Sequence, residues 1–228
     1  MRPGERPEIS RLPLFREMQE TQRDRIFSGS FLQVFPPQLV LFEIGQQADF
    51  LHVLVDGLVE LYASSAGRDT TMRIVEPVTS FIQAAVITDM PYLMSARTLA
   101  PSRIMLVPAA LMREVVKEDT ALMQATMREL SVAYRDMVRA LVDMKLRQSA
   151  ERLGNLILTH ERRQGGSGKV RLRAEKRLLA SLLGMTPENL SRAFAILGNH
   201  GLQVDGPELT IVDRAALESY SKPDQVPE

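Results

Sequence analysis

The stretch that most constrains this chain runs from Ala174 to Asp213, AEKRLLASLLGMTPENLSRAFAILGNHGLQVDGPELTIVD. Ala174 to Leu183 reads as a helix with Leu178, Leu179 and Leu182 on one face. Gly184 supplies the turn, because a residue that tolerates positive φ ends a helix at little steric cost. Thr186 then offers a hydroxyl as N-cap, and Pro187 suits the first helical position, whose N–H needs no partner. The second helix turns Leu190, Phe194 and Leu197 inward at i, i+4 and i+7. Gly201 ends it, and LQV and LTIV flank DGPE as the strands of a hairpin. Two helices joined through a short glycine-containing turn, with a hairpin behind them, make a winged helix-turn-helix.

The outward face of the second helix carries Glu188, Asn189, Ser191, Arg192 and Ala195, with Thr186 at its start. In such a unit the first turns of the second helix enter the major groove of double-stranded DNA. Arginine can fork onto guanine, a carboxylate can accept from cytosine, and a hydroxyl can serve either base. Glu188 and Arg192 also stand four apart, so a plain exposed helical ion pair is the competing reading. The whole helix–Gly–Thr-Pro–helix–hairpin pattern favours DNA. So does the gathering of Arg162, Arg163, Lys169, Arg171, Arg173, Lys176 and Arg177 beside it, opposed only by Glu175.

Gly184-Met185-Thr186-Pro187-Glu188-Asn189-Leu190-Ser191-Arg192 resembles the recognition segment of the CRP/FNR family of bacterial transcription regulators. The spacing of Glu188, Ser191 and Arg192 is similar to that of the FNR-type branch, whose half-sites begin TTG. The resemblance implies a homodimer on double-stranded DNA, working with RNA polymerase in the cytoplasm.

Composition adds exclusions. The chain has 228 residues, enough for two domains, and its 28 basic and 28 acidic side chains cancel. With no cysteine it cannot form a disulfide, a cysteine-ligated zinc site or a cysteine-held iron–sulfur cluster. No run approaches a membrane span, so a membrane partner is not expected. Its 3 histidines lie in separate segments with no Ser/His/Asp constellation or metal-ligand spacing, so no enzyme and no certain metal site is expected.

Residues 1–12 are rich in proline and charge and are expected to be loosely ordered; residues 14–28 read as a short helix through Phe15, Met18, Ile26 and Phe27. From Phe31 the pattern changes to short apolar segments between turns: FLQVF, LVLFEIG, FLHVLVDG, LVELYAS, TTMRIVEP, SARTLA and SRIMLVP. Such spacing predicts an antiparallel barrel or sandwich, and no βαβ alternation, GxGxxG or P-loop intervenes. EIGQQADFLHVLVDGLVELY resembles the family's β-roll, with Gly45 and Gly57 at turns.

Nucleotide-binding members carry Phe-Gly-Glu and, about ten residues on, Arg-Ser, which together hold the cyclic phosphate. Here the corresponding residues are Phe81-Ile82-Gln83-Ala84 and Met90-Pro91-Tyr92-Leu93-Met94, and Arg97 falls past the phosphate position. A buried phosphate without a paired cation is costly, so cyclic nucleotide is not the expected effector. His52, Tyr62, Tyr92 and Met94 are the soft or polar members of this region. His52, Tyr62 and Tyr92 are the candidate effector-pocket residues, with a hydrogen-bonded core histidine weighed against a haem ligand at His52. Haem is a candidate cofactor on the ground that the sensor has neither cysteine nor phosphate cassette.

Met123, Met127, Leu130, Tyr134, Met137, Leu141, Met144 and Gln148 follow alternating spacings of four and three. That is an a/d seam with no Pro or Gly inside, which predicts a dimerisation helix over residues 119–147. Methionines repack easily, which suits a contact that must slide. Gln148 to Arg163 reads as a further helix, ended by QGGSG, and KVRLR as a strand.

The expected fold is α+β: an antiparallel β-roll of the cyclic-nucleotide-binding type at residues 1–118, the dimerisation helix at 119–147, and a winged-helix DNA-binding domain at 148–228. PEISRLPLFREM, FPPQ and PYLMSARTL are most similar to the nitric-oxide-responsive regulators of denitrification. That resemblance implies a response to nitric oxide; carbon monoxide, redox state, cyclic nucleotide or no ligand remain the alternatives.

Overall fold

The computed structural model describes Met1 and residues 3–223. Contacts divide the chain into two compact units, Met1–Asp136 and Met137–Glu228.

The first unit opens with α1 (Arg6–Ile9) and α2 (Glu20–Gly29). Both differ from expectation. Ile9 is fully buried and Leu12 nearly so, which orders the first segment against the core. Leu14 to Met18 is not helical; Leu14, Phe15 and Met18 are instead buried in a turn, and Phe15 packs edge-to-face on Phe27 at 5.6 Å between centroids. An aromatic pair of this kind adds about 0.5–1.5 kcal/mol beyond its burial, which outweighs the helix propensity of that short run.

Eight strands follow: β1 (Phe31–Phe35), β2 (Val40–Phe42), β3 (Phe50–Asp56), β4 (Val59–Ser65), β5 (Arg68–Val75), β6 (Thr79–Phe81), β7 (Ser95–Thr98) and β8 (Ser102–Pro108), with helix α3 (Gln83–Thr88) between β6 and β7. They form two antiparallel four-stranded sheets in the orders β1-β8-β3-β6 and β2-β7-β4-β5. Gly57 makes the β3–β4 turn at φ 106°, where a Cβ would lie 2.3 Å from the Ser102 hydroxyl. The core draws on both sheets, with Leu51, Val53, Val59, Leu61, Ile104 and Met105 all at 3% exposure or less.

Helix α4 (Ala109–Glu118) and the long helix α5 (Thr120–Leu146) come next. Asp119, fully buried, caps α5: its Oδ1 accepts from Leu122 N at 2.8 Å and its Oδ2 from Gln19 N at 2.9 Å. The helix stops at Leu146, so Gln148 is not part of the seam. Gln148 is instead the N-cap residue of α6 (Ser149–Arg163), and its N–H donates to Glu151 Oε2 at 2.8 Å. The remainder is β9 (Lys169–Arg171), α7 (Lys176–Leu182), α8 (Pro187–Gly198), β10 (Leu202–Asp205), β11 (Glu208–Ile211) and α9 (Arg214–Ser221), the strands pairing in the order β10-β11-β9. Among the described residues no helix is long and apolar enough to cross a membrane.

Candidate nucleic-acid interface and sensor region

Gly184 stands at φ 60° between α7 and α8, and its N–H donates to Ser181 O at 3.0 Å, closing α7. Thr186 Oγ1 accepts from Asn189 N at 3.3 Å and starts α8 with Pro187 at its first position. The inward residues of α8 are Leu190, Ala193 and Leu197, all buried, while Phe194 is only half-buried. Ala193, one residue earlier on the helix, takes the buried place assigned to the aromatic. On α7 the buried positions are Leu179 and Ala180, with Leu183 just beyond its end.

Glu188, Asn189, Ser191, Arg192 and Ala195 are exposed together, as is Thr186. Glu188 has its carboxyl held below the usual range, chiefly by the Thr186 hydroxyl and also by Arg192. Ser191 donates to Pro187 O at 3.1 Å, which leaves its oxygen free to accept. Arg192 acts on Glu188 only through space and forms no close ion pair among the described residues, so its guanidinium fork is available. The seven basic residues grouped in the sequence are exposed without exception.

The turn is tied to the end of the long helix. Arg152 on α6 donates from Nε to Leu183 O at 3.0 Å and from a terminal nitrogen to Arg147 O at 2.9 Å. Met144 lies against Gly184, with its Cε 2.4 Å from where a Cβ would stand. The sequence pattern puts Met144 on the seam but carries no signal for Arg152, whose acceptors are backbone carbonyls, one of them 31 residues away.

In the first unit the seam residues of α5 are exposed: Met123 by 40%, Met127 by 62% and Tyr134 by 64%, followed in the second unit by Met137 at 63%, Leu141 at 54% and Met144 at 50%. Leu130 is half-buried.

Of the three candidate effector residues, His52 and Tyr92 come together and Tyr62 does not join them. His52 is ringed by Phe42, Phe81 and Tyr92 with centroids at 5.0, 5.2 and 6.5 Å. Burial drives its pKa down to about 4 against hydrogen bonding to the Phe50 backbone, and its Nδ1 has no partner. Tyr92 stacks on Phe42 at 3.9 Å and donates to Phe50 O at 3.2 Å; burial pushes its phenol up to about 12. Packed in this way, the imidazole has rings where a porphyrin would have to lie, and the residues do not fit a haem at His52. Tyr62 instead lies under the Arg97 guanidinium at 4.3 Å, and Arg97 bonds Glu60 at 2.7 Å and Asp69 at 2.9 Å. Arg97, the cation that follows the cassette in the sequence, is therefore committed to carboxylates. Among the described residues no group of three or more His, Asp or Glu could hold a metal ion.

The cassette region lacks the phosphate-holding residues but carries polar side chains of its own. Its Ser80 and Gln83 side chains both donate to the Glu129 carboxylate of α5, Gln83 Nε2 at 2.6 Å.

Residues 32–119 match the model of the cyclic nucleotide-binding domain, and residues 151–220 that of the Crp-like helix-turn-helix domain. The chain is a CRP/FNR-type transcription regulator. Among solved structures, this regulator is similar to a Ruegeria pomeroyi protein named for cyclic nucleotide binding. The two are 25% identical with a TM-score of 0.61, over 98% of this chain and 100% of that one. FixK2 from Bradyrhizobium japonicum shares the fold at a TM-score of 0.76 and 17% identity, over 87% of this chain and 99% of that one. DNR from Pseudomonas aeruginosa does so at 0.51 and 22%, over 96% and 99%. No curated protein matches the regulator.

Proposed function

We propose that this regulator works as a homodimer that reads a TTG-bearing palindrome, needs no cyclic nucleotide, and responds to nitric oxide to control denitrification or other nitrogen-oxide genes through RNA polymerase. The observation that carries the dimer is the exposed row on α5, from Met123 at 40% to Met144 at 50%. Burying a large apolar side chain is worth about 1.5–3 kcal/mol, and a single copy of the chain forgoes roughly half of that at these positions. A second copy of α5 supplies the missing surface.

For DNA reading the support is the exposed Arg192 fork beside Glu188 and Ser191. Arg192 takes the guanine of the half-site, Glu188 the complementary strand, and Thr186 and Asn189 the flanking positions. The exposed basic residues of α6, β9 and α7 hold phosphates. The two recognition helices then meet half-sites about one helical turn, roughly 34 Å, apart. Against cyclic nucleotide stand the missing cassette arginine and the commitment of Arg97 to Glu60 and Asp69. The nitric oxide response is supported by the resemblance of PEISRLPLFREM, FPPQ and PYLMSARTL to the denitrification regulators.

Gel-shift titrations with Arg192→Ala test the DNA reading. A bidentate arginine–guanine contact discriminates by about 1–3 kcal/mol, so cognate affinity should fall roughly 5- to 150-fold while scrambled DNA is bound nearly as before. Equal losses on both would make Arg192 a phosphate contact. A reporter driven by the cognate palindrome should respond to nitric oxide and stay silent with carbon monoxide; the reverse pattern removes the nitric oxide assignment.

A further inference from the structure

The Glu129 carboxylate of α5 reaches into the β6–α3 segment. It is half-buried, and its two donors, Ser80 and Gln83, are 8% and 5% exposed. Gln83 Nε2 also lies 2.5 Å from Ser80 Oγ, so the three side chains close a small polar ring. Arg73 on β5 adds a positive charge that favours the ionised form, while burial pushes the Glu129 carboxyl up. Thr126, on the same face of α5, is buried with an unpaired hydroxyl. The donors sit where nucleotide-binding members of the resembled family place their phosphate cassette.

We infer that Glu129 is a tethered anion that fills the β6–α3 donor site from within the chain, latching the first half of the dimerisation helix to the sensor unit. A free anion could reach Ser80 and Gln83 only by displacing that carboxylate. The latch is also poised. Its charge is desolvated on burial and offset by two donors and one cation, so a modest change in packing around β6 or α3 releases α5. The inference rests on the reading that no cyclic nucleotide occupies the sensor.

Hydrogen exchange of the full chain, followed by mass spectrometry, tests it. Losing hydrogen bonds to a charged acceptor is worth a factor of roughly ten or more. Glu129→Ala should therefore speed exchange in residues 79–88 and 120–132 by at least about tenfold. Ser80→Ala should do so by a smaller factor, and residues 149–221 should be unaffected. Glu129→Gln keeps the shape without the charge and should fall between. Exchange in Glu129→Ala within about twofold of wild type overturns the latch.

Calorimetry with cyclic AMP on the wild-type chain separates the two readings. No binding, with unchanged exchange in Glu129→Ala, leaves the nucleotide-free reading standing and removes the latch. Binding that strips protection from residues 120–132 removes the nucleotide-free reading and upholds the latch as displaceable. Binding that leaves that protection intact overturns both.

Discussion

His52 offers a sharp test of whether the sensor core is sealed. Its imidazole is 5% exposed, enclosed by three aromatic rings, and its pKa is moved by burial from 6.5 to about 4. The unfolded chain therefore binds a proton more readily than the folded one. Stability is complete above about pH 6.5 and is lost as pH falls toward about 4. Between about pH 7.5 and about pH 5 the loss from this residue comes to about 2 kcal/mol, at 1.36 kcal/mol for each tenfold change in proton affinity. His52→Leu fills similar space, removes the unpaired Nδ1 and cannot titrate, so it should keep that 2 kcal/mol at the lower pH. Urea unfolding followed through the methyl signals of Leu51 and Val53 reports the sensor unit alone. The difference between wild type and variant cancels the other groups, including Glu129, whose raised pKa acts with the opposite sign. Parallel pH profiles, within about 0.5 kcal/mol, would mean that His52 is solvated or bound to something that keeps its basicity.

Replacing Leu130 and Leu141 together with Glu sets like charges across the proposed seam, and sedimentation should show monomer; an unchanged dimer would remove α5 as the interface. Gly184→Ala forces a side chain into φ 60° and against Met144 Cε, so the DNA-binding unit should lose about 1–3 kcal/mol, read by thermal unfolding. No loss would mean that the turn relaxes freely. Tyr92→Phe removes only the bond to Phe50 O and should cost about 0.5–1.5 kcal/mol while leaving nitric oxide response intact. A blunted response at unchanged stability would put Tyr92 in the sensing path.

The recognition unit was legible because its signals are local: Gly184, Thr186 and Pro187 each act on the two or three residues beside them. The strands from Phe31 to Pro108 were likewise readable from alternation and turns, save β6, whose three residues Thr79-Ser80-Phe81 include a single apolar side chain. Helix α4 went unread because its buried positions, Ala109, Met112 and Val115, directly follow a strand and look like its continuation. Gln148 fell on the seam by arithmetic, but spacing alone cannot see that Glu151 caps its N–H. The polar pairings of the sensor were hidden altogether. Glu129 meets Ser80 and Gln83 across nearly fifty residues, and Arg97 meets Glu60 across 37. Nothing in periodicity or propensity carries such distances.

Arg152 has a bearing on how other sequences of this shape are read. One guanidinium holds the carbonyl of Arg147, after the long helix, and that of Leu183, at the recognition turn. Lysine presents a single charged point and cannot span two acceptors on a fixed fork. A lysine there would abandon one helix end or the other, even though charge and length are nearly kept. Among homologues, an arginine at this place should therefore co-vary with the glycine of the turn rather than with overall basicity, making the pair a compact fingerprint of chains in which the two ends are fastened together.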